Sequence, residues 1–379
     1  MKTSCVSLQG GLLIIAMLTL GACHKAVDPD YPNERGELLA NLNGASSSFA
    51  GFIDWSADGT ELYYLTTGSA GYQIQAIHVQ SRAVRLVGQD NRWNRISLSG
   101  RLADWSTLSA DGQFIYLMMQ QAQHSVVSYP YYLYQIDTRK ANQITVVDST
   151  VPKFTGSPST VLSPDGRRVA FQYRYDSVRV HQLDANTSIR LLGNRPVVFS
   201  PDGSQLILEQ GNVNVVQIVS LTDLSSSLVD VRTLTPSSSS SWGEFQWHTE
   251  GIRYVYGDFN RSVTNPSTFG LFLWNVTRQT STLLRPDLAE EFPVQSSSVV
   301  WSHNGQQIAF STANWSQSIS GSRNQIVYTT NLTTLKTTKV ATITLRDDEK
   351  SLFLSPLLIS PDNRKLAYAI GSMVYIVPI

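Results

Sequence analysis

Pairs of large apolar residues recur two positions apart along the chain: Leu62 and Tyr64, Ile115 and Leu117, Val169 and Phe171, Leu206 and Leu208, Tyr254 and Tyr256, Ile308 and Phe310, Leu366 and Tyr368. The residue between the members of each pair is mostly apolar too. Both faces of such a strand are expected to be buried, as they are when a strand is sandwiched between neighbouring sheets. Looser alternation follows each pair and is broken by Gly, Ser, Asn and Asp. In the first unit this pattern predicts a strand ending at Trp55, then strands over Glu61–Thr66, Tyr72–Val79 and Ala83–Val87. No segment requires a helix.

A short motif precedes every buried strand: Trp55-Ser-Ala-Asp-Gly59, Leu108-Ser-Ala-Asp-Gly112, Leu162-Ser-Pro-Asp-Gly166, Phe199-Ser-Pro-Asp-Gly203, Trp247-His-Thr-Glu-Gly251, Trp301-Ser-His-Asn-Gly305 and Ile359-Ser-Pro-Asp-Asn363. Its first residue anchors the end of a strand. Ser and the acid (Asp58, Asp111, Asp165, Asp202, Asp362) can bond nearby backbone N–H groups, and Pro pre-sets φ for a type I turn. The closing Gly59, Gly112, Gly166, Gly203, Gly251 or Gly305, or Asn363, suits a left-handed conformation. Copies recur roughly every 50 residues, a period that fits one four-stranded sheet per repeat and predicts a seven-bladed β-propeller. The Ser-Pro-Asp-Gly turn with its following strand resembles the WD-like repeats of the TolB C-terminal propeller. Similar repeats occur in propellers of prolyl-oligopeptidase-type peptidases and in oligogalacturonate lyases. The resemblance implies a fold over residues 37–379 but no single activity, because such blades host unrelated functions.

The last unit has only three expected strands, Leu357–Ser360, Lys365–Ile370 and Met373–Val377, which would leave an open edge. Glu37-Leu-Leu-Ala-Asn-Leu-Asn43 is expected to add the missing outer strand and latch the ring. The alternatives are a disordered extension there, or a six-bladed ring with one divergent segment. In the fourth unit the outer strand is expected over Val229–Leu234.

Residues 1–22 read as a secretory signal, with Lys2 ahead of the apolar run Gly11–Leu20. Leu20-Gly-Ala-Cys23 matches a bacterial lipobox, so Cys23 is the expected lipidation site. An ordinary signal cleaved after Ala22 is the alternative. His24 stands where an inner-membrane retention signal would place Asp, which favours the outer membrane. Residues 23–36 then form a polar tether. The other cysteine, Cys5, leaves with the signal, so thiol catalysis and thiolate metal sites are not expected. Charged residues make up 15% of the chain, with 29 basic against 29 acidic. Loss of the one lysine in residues 1–22 leaves 28 against 29, which gives no reason to expect nucleic acid as a partner.

In each blade the Ser-x-Asp-Gly turns lie on one side of the disc and the irregular loops on the other, where function is expected. Trp93, Arg95, Tyr129, Tyr131, Phe259, Trp315 and Arg323 lie in or beside those loops. Exposed around the channel mouth, such aromatics and arginines would suit a peptide, glycan or protein partner. Alternatively the aromatics fold back onto their own loops. No nucleophile elbow, phosphate loop or His-Glu-x-x-His motif occurs. His78 and His181 are expected to be strand packing residues, and His248 and His303 turn residues. Glu290-Glu291 and Asp347-Asp348-Glu349 read as solvated charge runs. No cofactor or metal is expected. The sequence therefore reads as a lipid-anchored envelope propeller that binds or scaffolds an envelope protein or peptide, touching the membrane only through its anchor. A polysaccharide lyase or hydrolase using the same loops is the alternative.

Overall fold

Seven antiparallel sheets account for the secondary structure, and no helix occurs among the described residues. The structure is a computed structural model that describes residues 35–42, 47–68, 71–90, 93, 106–120, 131–151, 159–174, 176–210, 215–230, 243–248, 251–258, 270–275, 278, 280–285, 292–293, 299–313, 324–344 and 357–379. All of these fall within the unit Glu34–Ile379.

Blade one runs outward through Ser47–Trp55, Glu61–Gly68, Gly71–His78 and Val84–Gln89. Blade two uses Ser106–Leu108, Phe114–Gln120, Tyr131–Asp137 and Ile144–Val151. Blade three uses Thr160–Leu162, Arg168–Arg174, Ser177–Gln182 and Thr187–Leu192. Blade four follows with Arg195–Phe199, Gln205–Glu209, Val215–Ser220 and Ser226–Asp230. Blade five has Gly243–His248, Gly251–Asp258, Gly270–Asn275 and Thr280–Arg285. In blade six the first strand is split: Phe292–Pro293 and Val300–Trp301 both pair with Gln307–Ala313, followed by Asn324–Asn331 and Lys336–Thr344. Blade seven has Leu358–Ile359, Lys365–Ile370 and Met373–Pro378.

The core is divided into layers between blades, which explains why the second strands are apolar on both faces. Ile53, Leu65 and Ile74 of blade one meet Ile115, Leu117 and Tyr134 of blade two. Tyr116, Met118 and Leu133 meet Val169 and Phe171 of blade three, and Ala170 and Val180 meet Phe199, Leu206 and Leu208 of blade four. Ile207 and Val216 meet Ile252 of blade five, and Val255 and Leu271 meet Ile308 and Phe310 of blade six. Ala309 and Val327 meet Leu366 and Tyr368 of blade seven. The last layer joins Ala367, Ala369 and Val374 of blade seven to Phe52, Trp55, Leu62 and Tyr64 of blade one, which makes the stack a ring. At about 2 kcal/mol per fully buried large apolar side chain, these layers hold the fold together. Two anchor indoles add a repeated polar tie: Trp55 Nε1 donates to the Leu358 carbonyl at 3.2 Å, and Trp247 Nε1 to the Val198 carbonyl at 3.4 Å.

Closure occurs as the N-terminal segment predicts. Glu37–Asn41 pairs antiparallel with Met373–Pro378 and completes blade seven. Leu42 N–H donates to the Ser372 carbonyl at 2.8 Å, and the Tyr368 hydroxyl donates to the Arg35 carbonyl. Leu39 is buried in the layer between blades seven and one. One strand boundary differs from expectation: the outer strand of blade four is Ser226–Asp230, ahead of the apolar run at Val229–Leu234. Outer strands have an exposed face, so Ser226 and Ser227 serve there as well as valine would.

Candidate functional site

The Ser-x-Asp-Gly motif builds the same turn six times. In the third, Ser163 Oγ–H donates to Asp165 Oδ1 at 2.5 Å, and Ser163 Oγ accepts from Arg168 N–H at 2.9 Å. Asp165 Oδ1 also accepts from Arg167 N–H at 3.1 Å, and Gly166 N–H closes onto the Ser163 carbonyl at 2.9 Å. The turns at Ser56, Ser109, Ser200, Ser302 and Ser360 repeat the hydroxyl–acid (or Asn304) bond at 2.6–2.8 Å or, at Ser360, 2.5 Å. Gly166 sits at φ +69°, and Asn363 takes the same left-handed region at +56°. In the fifth copy, His248 pairs directly with Gly251, whose φ is +114°. These bonds hold the acids below the usual carboxylate range: Ser56 and Thr60 at Asp58, Ser109 and Gln113 at Asp111, Ser360 at Asp362. Burial raises the Asp165 carboxyl, but the Ser163 and Arg167 bonds outweigh it. Asp202, bonded by Ser200 and Ser204, falls to about 2.

The turns between third and outer strands lie on this same side. Five of them share a set geometry, with positive φ at Arg82, Asn142, Asn186, Leu224 and Leu335. Among the described residues, six turns of this face bond their hydroxyls, acids or Asn304, and N–H groups to one another. The opposite face carries connections of very unequal length. Between second and third strands they range from Gly371-Ser372 in blade seven to residues 121–130, 259–269 and 314–323 in blades two, five and six.

Of the residues expected at that face, Trp93 and Tyr131 are described, and neither is exposed: they are 2% and 3% accessible. Neither forms part of an exposed rim; both rings are taken up by the packing between adjacent blades. Trp93 N–H donates to the Asp90 carbonyl at 3.0 Å, a turn that swings the indole back between blades one and two. There it meets the Tyr134 ring edge-on, with centroids 5.7 Å apart. Tyr131 opens the third strand of blade two and packs with Met118, Leu133 and Phe171. Burying these rings gains more than leaving them in water, and the strand reaches further toward the loop face than the sequence pattern suggests. Arg95, Tyr129, Phe259, Trp315, Arg323 and Cys23 lie outside the described residues.

Two features of the ring were not anticipated. Asp54 directly precedes the anchor Trp55. The equivalent positions in the other blades are Thr107, Val161, Val198, Gln246, Val300 and Leu358, all uncharged. Burial pushes the Asp54 carboxyl up, against the lowering pull of His303 and a bond from Trp55 N–H at 2.8 Å. The second is an arginine group around Tyr173 in blade three, with Arg179 paired to Asp148 of blade two at 2.6 Å. His181, buried in the same interface, is shifted down by desolvation. Both depend on contacts between blades, to which a linear motif gives no clue. Among the described residues no group of three or more His, Cys, Asp or Glu is placed to hold a metal ion.

Seven four-stranded blades with uniform turns on one face define the molecule as a β-propeller. No family model matches the chain. No curated protein matches it either. Solved structures do. A chain of the mitotic checkpoint complex is 15% identical, covering 93% of this chain and 99% of its own, with a TM-score of 0.54. An oligogalacturonate lyase from Vibrio parahaemolyticus is 10% identical over 90% of this chain and 93% of its own, at TM-score 0.59. The hydrazine synthase of Kuenenia stuttgartiensis is 13% identical over 90% and 98%, at 0.54. At these identities the likeness is one of fold.

Proposed function

We propose that this propeller is a TolB-like lipoprotein of a bacterial envelope, held at the outer membrane through Cys23, that binds a protein or peptide on its long-loop face without catalysing a reaction. The observation that carries this reading is the difference between the two faces. In the described Ser-x-Asp-Gly turns, hydroxyls, carboxylates and N–H groups bond to one another, so these groups are already engaged. The other face holds the long connections 121–130, 259–269 and 314–323, which supply Tyr129, Phe259, Trp315 and Arg323. Aromatic and arginine side chains on loops carried by a rigid scaffold suit protein recognition. With Trp93 and Tyr131 buried, the binding role rests on those loop residues.

The experiment is capture from envelope extract by the immobilised body, residues 24–379, beside a variant whose segments 259–269 and 314–323 are replaced by Gly-Ser linkers of equal length. Retained proteins are identified by mass spectrometry, and both forms are incubated with polysaccharides to detect chain shortening. A protein held by the first form and lost from the second supports the reading. Polysaccharide cleavage by the first form, lost in the second, would replace it with the enzyme alternative.

A further inference from the structure

Three arginines of blade three converge on one ring. The guanidinium carbon of Arg179 lies 3.7 Å from the Tyr173 centroid, that of Arg174 5.5 Å and that of Arg190 6.0 Å. They come from three successive strands, and Arg179 and Arg190 are direct cross-strand partners. Like charges in that register repel, so the arrangement needs compensation.

Among the described residues the compensation is uneven. Asp148 reaches across from blade two and holds Arg179 at 2.6 Å, with both side chains largely covered. Asp176 stands 3.6 Å from Arg190, where both are exposed and the attraction is weak. Arg174 has no ion-pair partner among the described residues and faces solvent. Among the described residues Arg174 therefore has no acid and Arg190 only an exposed one, and these two guanidiniums are the under-compensated pair. Both lie within 6.0 Å of the same centroid. Being exposed, the two side chains can turn toward an anion placed beside the ring. Each guanidinium is a planar fork of N–H donors that matches a carboxylate or phosphate.

The geometry points to an oxyanion-binding site at the outer edge of the loop face. Arg174 and Arg190 receive a carboxylate or phosphate group beside Tyr173, while Arg179, pinned by Asp148, fixes the ring that both flank. Tyr173 cannot also serve as a stacking platform on the side Arg179 covers, so recognition is of the charge and not of an attached ring. This site is independent of what the long loops bind.

Isothermal titration calorimetry of residues 24–379 tests it, with inorganic phosphate and citrate as separate probes at constant ionic strength. Three forms are compared: wild type, R174Q/R190Q, and R167Q/R364Q, which removes two exposed charges from the turn face. Wild type and R167Q/R364Q are expected to show saturable binding of at least one probe. R174Q/R190Q should bind it about tenfold more weakly or not at all, with an unchanged melting temperature. Phosphate binding without citrate assigns a phosphate-type ligand, and the reverse a carboxylate. No saturable heat with either probe, or equal loss in both variants, overturns the site.

Discussion

Leu39 carries most of the side-chain burial of the closing strand, and its truncation isolates what closure contributes. Glu37 and Leu38 are exposed, and the Glu37–Arg82 ion pair at 2.6 Å is exposed at both ends. Leu39, at 4% exposure, fits among Phe52, Trp55, Val374 and Ile376, where blade seven meets blade one. Leu39→Ala removes buried atoms and leaves a partly collapsed cavity, a change that costs about 3 kcal/mol. With an unfolding entropy of about 2.1 cal/mol/K per residue over roughly 340 residues, the melting temperature should fall by about 4 °C. Thermal melting gives the magnitude, and hydrogen exchange gives the location. Faster exchange should be concentrated in Glu37–Asn41 and Met373–Pro378, the two strands whose pairing closes the ring. Leu228→Ala, on the exposed outer strand of blade four, should change neither. A Leu39→Ala protein that melts with wild type, or one whose exchange rises evenly around the ring, would refute the latch.

Gly166→Val should lower stability by about 1–2 kcal/mol from backbone strain alone, since no atom lies within 4 Å of an added Cβ and φ is +69°. Gly166→Asn should be milder, because Asn363 already occupies that conformation. Ser163→Ala leaves the Arg168 N–H without its acceptor and removes one of the bonds to the Asp165 carboxylate, and should cost about 1–3 kcal/mol in chemical denaturation. Acid should unfold the protein through the turns. Asp58, Asp111, Asp165, Asp202 and Asp362 have folded-state pKa values below their unfolded ones. Their contribution is present above the unfolded value near ~3.9 and is lost as pH falls through the folded values, about 2 at Asp202. Denaturant midpoints that stay flat from pH 5 to pH 2 would contradict this. Asp148→Asn should cost about 3 kcal/mol by leaving Arg179 without its charge partner, with faster exchange in the facing strands of blades two and three.

How far the structure could be read from the sequence follows from the range of the forces involved. The turns are legible because their bonds are local, Ser to the acid two residues on and Ser to the N–H five residues on. The second strands are legible because burial on both faces leaves an unbroken apolar run. Closure by Glu37–Asn41 was legible by elimination, since blade seven lacked an outer strand and this segment had no other partner. One outer strand reads poorly: Ser226–Asp230 needs only one apolar face, and its polar start looks like loop. Loop aromatics read worst. Trp93 and Tyr131 have the composition of a binding rim, but the fit between adjacent blades decides their burial, and that contact leaves no periodic trace. The Tyr173 arginine group was invisible for the same reason, its members being spread over three strands, with Arg179 paired to an acid in another blade.

The most direct test of the central claim is site-specific photocrosslinking in the intact envelope. A photoreactive phenylalanine derivative is placed singly at positions 259 and 315 on the loop side, and at Ala57 and Pro164 in the turns. Binding through the loop face predicts one shared protein adduct from 259 and 315 and none from 57 or 164. Adducts from the turn positions alone, or no protein adduct from either loop position, would contradict it.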